Sequence, residues 1–129
     1  MAQNPKTLRQ VIDYINNAVE KFGAYTSQPT LPEVFRYDDM RMDALKQVLL
    51  GITEATTRIP DSEKAKAPEI PWRAIVDMGN RIRHDYDDFN IRYIEALQKS
   101  QDLTNLQKAL AKMNPDTPQI RQQKPKSPQ

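Results

Sequence analysis

Ile70-Pro71-Trp72-Arg73-Ala74-Ile75-Val76-Asp77-Met78-Gly79-Asn80-Arg81-Ile82-Arg83-His84-Asp85-Tyr86 is the stretch on which the fold of this chain turns. It holds the only tryptophan and the only histidine in the sequence. Pro71 suits the first turn of a helix, where a missing backbone N–H costs nothing. Trp72, Ile75, Val76, Gly79 and Ile82 recur at steps of three and four, which predicts a helix with one stripe against a core. Asn80, Arg81, Arg83 and His84 gather polar chemistry near its C-terminal end, and the acids Asp85, Asp87 and Asp88 follow.

The same periodicity runs outward from this helix. Leu8, Val11, Ile12, Ile15, Val19 and Phe22 mark a first helix, with a capping box offered by Thr7 and Gln10, that fades between Gly23 and Thr26. Pro29 and Pro32 punctuate a loop with a short helical turn around Leu31 to Phe35. Tyr37-Asp38-Asp39 opens a second helix whose stripe is Leu45, Val48, Leu49, Ile52, Ala55 and Ile59, and Pro60 ends it. Asp61 to Glu69 reads as a loop containing at most one helical turn. After an acidic turn over Asp85 to Asn90, a fourth helix is expected from Ile91 to Lys112 on Ile91, Ile94, Leu97, Leu103, Leu106 and Leu110, with spacing that loosens near Ser100 to Asp102. No strand pattern or repeat appears. The fold class is therefore all-α, an antiparallel helical bundle of about four main helices. It divides into a domain over residues 1–112 and a tail over 113–129, rich in Pro and Gln and expected to be disordered.

Composition narrows the chemistry. A chain of 129 residues is one domain with one modest core. Three glycines, at 23, 51 and 79, cannot build a glycine-rich phosphate loop. The absence of cysteine excludes disulfides, zinc–thiolate sites and a cysteine nucleophile, and fits a reducing compartment. No apolar run approaches the roughly 20 residues of a membrane span, and no signal-peptide pattern opens the chain, so a cytoplasmic location is expected. The net charge of +2 resides wholly beyond Met113, in Arg121, Lys124 and Lys126 against Asp116. The folded part is neutral, so any nucleic-acid contact must come from a local patch.

The local patch is at His84. At about 100° per residue, Asn80 lies about 40° from His84 around the helix, Arg81 about 60° to the other side and Gly79 about 140° away. Arg73 shares the His84 face but sits about 16 Å up the axis. Histidine exchanges a proton near neutral pH, and the arginine fork holds a phosphate. RNA brings its own nucleophile in the 2′-hydroxyl beside each phosphate. A base and a phosphate clamp therefore suffice for RNA cleavage by internal transphosphorylation without metal or cofactor. The plainer alternative is a solvated helix end whose cations complement the helix dipole. Asp85, Asp87 and Asp88 with His84 also offer divalent-cation ligands, although consecutive acids in a turn are usually solvated. Trp72 reads as a core anchor, and Met40, Met42 and Met78 as core or interface filler.

Ile70-Pro71-Trp72-Arg73-Ala74-Ile75, followed by Met78, Asn80 and His84-Asp85-Tyr86, resembles the HepT-like group of HEPN-domain proteins. The preceding helix agrees, since Ala44-Leu45 through Ile52-Thr53-Glu54-Ala55 is similar to that family's second helix. The resemblance spans roughly Leu8 to Leu110. It implies a helical bundle that dimerises, with its polar site in a cleft at the dimer interface. It also implies the toxin half of a bacterial toxin–antitoxin pair, a metal-independent ribonuclease acting on RNA. The partner implied is a small MNT-type nucleotidyltransferase antitoxin that modifies a tyrosine with AMP. His84 matches the family's histidine, Tyr86 the modified tyrosine, and Asn80 the polar residue that follows the family's arginine.

One position departs. The family motif is an arginine, four intervening residues and the histidine, and counting back from His84 gives Gly79. Two readings follow. In the first, His84 is the general acid/base, Arg81 or Arg83 stabilises the phosphate, Asn80 orients and Tyr86 is the switch. In the second, the nuclease is lost and the protein is a non-catalytic helical module that binds a nucleotidyltransferase partner. Gly79→Arg discriminates between them, since new or enhanced cleavage would show that the clamp had been missing.

Overall fold

A computed structural model describes residues 7–27 and 39–117. The turn expected around Leu31 to Phe35, the helix start at Tyr37-Asp38, the side chain of Asp88 and the tail from Pro118 lie outside the described residues. Among the described residues every regular element is helical: α1 (Leu8–Tyr25), α2 (Asp39–Thr56), the short α3 (Asp61–Lys64), α4 (Trp72–His84), a 3₁₀ turn (Tyr86–Asp88), α5 (Ile91–Ser100) and α6 (Asp102–Leu110). The fold is the antiparallel helical bundle that the apolar periodicity predicts.

Local chemistry fixes most of these boundaries. Thr7 accepts the Gln10 amide N–H at 3.1 Å while the Gln10 side chain accepts the Thr7 N–H, closing the capping box at the start of α1. Pro71 is the N-cap of α4 rather than its first helical residue. Asn90 caps α5 by accepting the Arg92 N–H at 3.0 Å. The single helix expected from Ile91 to Lys112 is two. Gln101 adopts a left-handed conformation (φ 60°), ending α5 and letting α6 leave in a new direction. No glycine or asparagine announces that break.

The core sits around α2, which packs against α1 on one side and α4 on the other, while α6 returns to α1. Leu45, Leu49, Ile52 and Ala55 of α2 meet Leu8, Val11, Ile15, Val19 and Phe22 of α1 and Ile75 and Ile82 of α4 in one cluster. Trp72 and Val76 are only half-buried. Trp72 packs at the edge of the core and donates its indole N–H to the Ala67 carbonyl at 3.1 Å. Of the methionines expected inside, Met42 is buried, Met78 half-buried and Met40 exposed.

Buried side chains extend past Lys112 to Met113. Glu63, buried on α3, accepts the Asn114 N–H at 3.2 Å, the Thr117 hydroxyl at 2.7 Å and Lys66 at 2.9 Å. Burial alone would push its carboxyl up. The hydrogen bonds from Lys66, Thr117 and Asn114, with the Lys66 charge, outweigh it and hold the group below its ordinary value. Arg9 pairs with Asp116 at 2.9 Å, so the first and last described segments lie together.

Candidate functional site

α4 presents two chemically different flanks. Ile75, Gly79 and Ile82 are buried, and the polar residues between them go to one side or the other. On one side α4 and α5 form the walls of an open groove of about 750 Å³. Asn80, Arg81, His84 and Asp85 line it from α4 and its C-cap. Tyr93, Ala96 and Leu97 line it from α5, with Phe89 at the closed end of the 3₁₀ turn. Ala74 and Met78 extend an apolar strip along it. The helical arithmetic that put Asn80 and Arg81 beside His84 matches this arrangement.

Arg81 reaches across the groove. Its guanidinium donates to the Tyr93 hydroxyl and lies 4.9 Å from the Tyr93 ring centroid. Tyr93 stacks in turn on buried Phe89, with centroids 4.9 Å apart and planes within 8°. The groove also carries carboxylates, Asp77, Asp85 and Asp102. Asp77 is partly offset by Arg73 at 3.8 Å, one turn earlier on α4.

Arg83 and Tyr86 turn to the other flank. Arg83 bridges to Glu54 of α2 at 3.3 Å and donates to the Asn80 side-chain carbonyl at 3.0 Å. Tyr86 leans on α2. Its hydroxyl donates to Asp43 at 2.7 Å, and the Lys46 ammonium lies 3.9 Å over its ring while donating to its backbone carbonyl. Partial loss of solvent, the bond to Asp43 and the negative charges of Asp43 and Asp87 push the Tyr86 hydroxyl up to about 12. Lys46 is 5% exposed, a buried cation committed to this one turn.

Gly79 has a packing reason. A Cβ added there would lie 2.4 Å from the Thr53 hydroxyl oxygen and 3.0 Å from Thr53 Cβ. Thr53 is 2% exposed and donates to the Leu50 carbonyl at 2.9 Å, so it has little freedom to yield. At this glycine α4 lies directly against the Thr53 side chain of α2. Gly79→Arg therefore does not separate the two readings cleanly, because a side chain at 79 also disturbs the packing on Thr53.

Sequence reasoning placed Asn80, Arg81 and His84 together and did not single out their neighbours. Phe89 passed as part of an acidic turn, although it is that turn's one large apolar residue. Tyr93, Asp43 and Lys46 carried no spacing signal, because their partners lie on other helices. Among the described residues no group of three or more His, Cys, Asp or Glu side chains is gathered as a metal site. No described helix is long and apolar enough to cross a membrane.

The sequence profile of the family described as ribonuclease HepT-like matches residues 15–113. A probable ribonuclease HepT from Thermococcus cleftensis is 29% identical over 86 residues, covering 67% of this chain and 77% of the relative. No solved structure matches the chain significantly.

Proposed function

The chain belongs to the ribonuclease HepT-like family, and from that premise we propose that it is a toxin acting as a metal-independent endoribonuclease. The antitoxin in this reading is an MNT-type nucleotidyltransferase, and the pair works in the cytoplasm. The observation that carries the proposal is the joint placement of Asn80, Arg81 and His84 on one open groove. His84 takes the proton from a ribose 2′-hydroxyl as that oxygen attacks the adjacent phosphorus. The new P–O2′ bond forms as the P–O5′ bond breaks, and the imidazolium returns its proton to the leaving 5′-oxygen. Arg81 balances the charge that builds on the phosphoryl oxygens, and Asn80 orients the strand. Arg83, neutralised by Glu54, is assigned to holding Asn80.

A second copy of the chain fits this reading. The apolar strip of Ala74, Met78, Ala96 and Leu97 beside the polar groups offers a homodimer contact that would deepen the groove into a cleft. Tyr86 is the proposed AMP acceptor. Its hydroxyl must first leave Asp43, and the added phosphate would place a bulky anion two residues from His84. The last residues, as a tail beyond the helical domain, stand outside the chemistry.

The test is RNA cleavage by the purified chain in EDTA against His84→Ala, with Tyr86 checked for bound AMP by mass. Loss of cleavage by about a hundredfold or more is expected for His84→Ala. Equal cleavage by both proteins sinks the assignment. The Gly79–Thr53 packing favours one alternative, a non-catalytic module that keeps the fold and binds the nucleotidyltransferase. That reading expects no cleavage by unmodified protein together with stable co-purification of the partner.

A further inference from the structure

Arg81 is held in an unusual way for a surface arginine. Glu54 offsets the charge of Arg83, but among the described residues no carboxylate forms an ion pair with Arg81. Its recorded partner is a neutral oxygen, the Tyr93 hydroxyl, twelve residues on and across the groove. That contact fixes the position of a guanidinium without spending its charge. Of its five N–H donors, the ones not given to Tyr93 remain for an anion. Tyr93 is itself restrained, because its ring stacks on Phe89, which is 2% exposed and anchored in the core.

We propose that Tyr93, braced by Phe89, is a positioning residue that holds Arg81 over the groove so that its guanidinium grips an RNA phosphate beside His84. The inference rests on the ribonuclease reading for the identity of the strand but not for the grip. It explains how the site manages with glycine at the motif position. Gly79 is committed to the contact with Thr53, and an arginine two residues later lies on a different face of the helix. A side chain from that face needs a support that a residue at 79 would not, and α5 supplies it. The buried Phe89 and the exposed Tyr93 then form one device, an anchor and an arm.

The test separates grip from chemistry by using an oligonucleotide with 2′-O-methyl riboses, which lacks the attacking hydroxyl. Binding is followed by fluorescence anisotropy for the native chain, Tyr93→Phe, Arg81→Ala and the double variant. Tyr93→Phe keeps the stack on Phe89 and removes only the oxygen, so folding is preserved. A loss of about threefold to tenfold is expected for Tyr93→Phe, in line with the net contribution of one hydrogen bond. The same substitution made on Arg81→Ala should cost nothing further, because its effect passes through Arg81. Native-like binding by Tyr93→Phe, full additivity in the double variant, or no binding by the native chain each overturns the proposal. Cleavage of ordinary RNA is measured alongside. Coupled binding without cleavage would sink the ribonuclease reading and leave the positioning role standing. Cleavage with no dependence on Tyr93 would do the reverse.

Discussion

On the flank of α4 that faces α5, Asn80, Arg81 and His84 line an open groove. On the flank that faces α2, Gly79, Arg83 and, just beyond the helix, Tyr86 are each fitted to a partner: Thr53, Glu54 and the Asp43–Lys46 pair. Both flanks start from the last turns of one helix, and each carries one arginine. What differs is how much of each side chain's capacity is already used. Towards α2, charge meets charge and a hydroxyl meets a carboxylate, so little is left for a ligand. Towards α5, Arg81 is supported by the neutral oxygen and ring of Tyr93, and although Asp77, Asp85 and Asp102 line the same groove, no carboxylate among the described residues is paired with it. The residue type at a motif position therefore says less than the helix it faces.

The largest effect is expected from exchanging the two arginines for alanine in turn. Arg81→Ala should lower RNA cleavage by about a hundredfold, the usual loss when one donor to a developing anion is removed. Arg83→Ala, which breaks a solvent-exposed pair with Glu54 and a bond to the Asn80 side chain but removes no donor to the phosphate, should change it by about tenfold at most. Single-turnover rates decide this, and equal losses would erase the distinction between the flanks.

A second prediction concerns the closed flank alone. Helix propensity favours Gly79→Ala by about 1 kcal/mol. The overlap with Thr53 should reverse that sign and destabilise the fold by about 1–3 kcal/mol. Urea unfolding measures the difference, and a variant more stable than the native chain would show that the α2–α4 contact has slack.

The apolar framework of both flanks was legible in the sequence because it repeats. Ile75, Gly79 and Ile82 recur with the helix, as do Leu45, Leu49 and Ile52, and burial follows that period. The angular arithmetic around His84 also predicted its neighbours, since it depends on one helix only. Contacts between helices have no such local trace. Nothing near Tyr93 in the chain says that it meets Arg81, and nothing near Lys46 says that a lysine at the third turn of a helix will be buried under Tyr86. The break at Gln101 left only a looser apolar spacing near Ser100 to Asp102. Left-handed backbone usually advertises itself with glycine or asparagine, and here glutamine takes it. Gly79 was visible as an anomaly, but its cause lies in Thr53, twenty-six residues away in α2.

The smallest effect is confined to alkaline pH. The Tyr86 hydroxyl ionises at about 12 instead of 10.0, so the folded state holds that proton more tightly than the unfolded chain does. The stabilisation is complete below the unfolded value and is lost as pH rises through the folded one. Asp43→Asn removes a negative charge and weakens the acceptor, so the Tyr86 ionisation should fall back towards its ordinary value. Titration of labelled tyrosine rings by NMR follows it. An unchanged Tyr86 would mean that loss of solvent, rather than Asp43, sets the ionisation and that this contact is looser than its geometry implies.

The ion pair between Arg9 and Asp116 has a consequence for topology. It brings the two ends of the described helical domain together, so the backbone is nearly a closed ring interrupted at one place. A ring can be cut anywhere that the backbone turns freely. Joining residue 7 to residue 117 through a short polar linker and opening the chain at Gln101 should give a circular permutant with the same helices in a new order. Far-UV circular dichroism matching the native spectrum would show it. The order in which these helices are synthesised would then be a matter of history, and their packing around α2 a matter of chemistry.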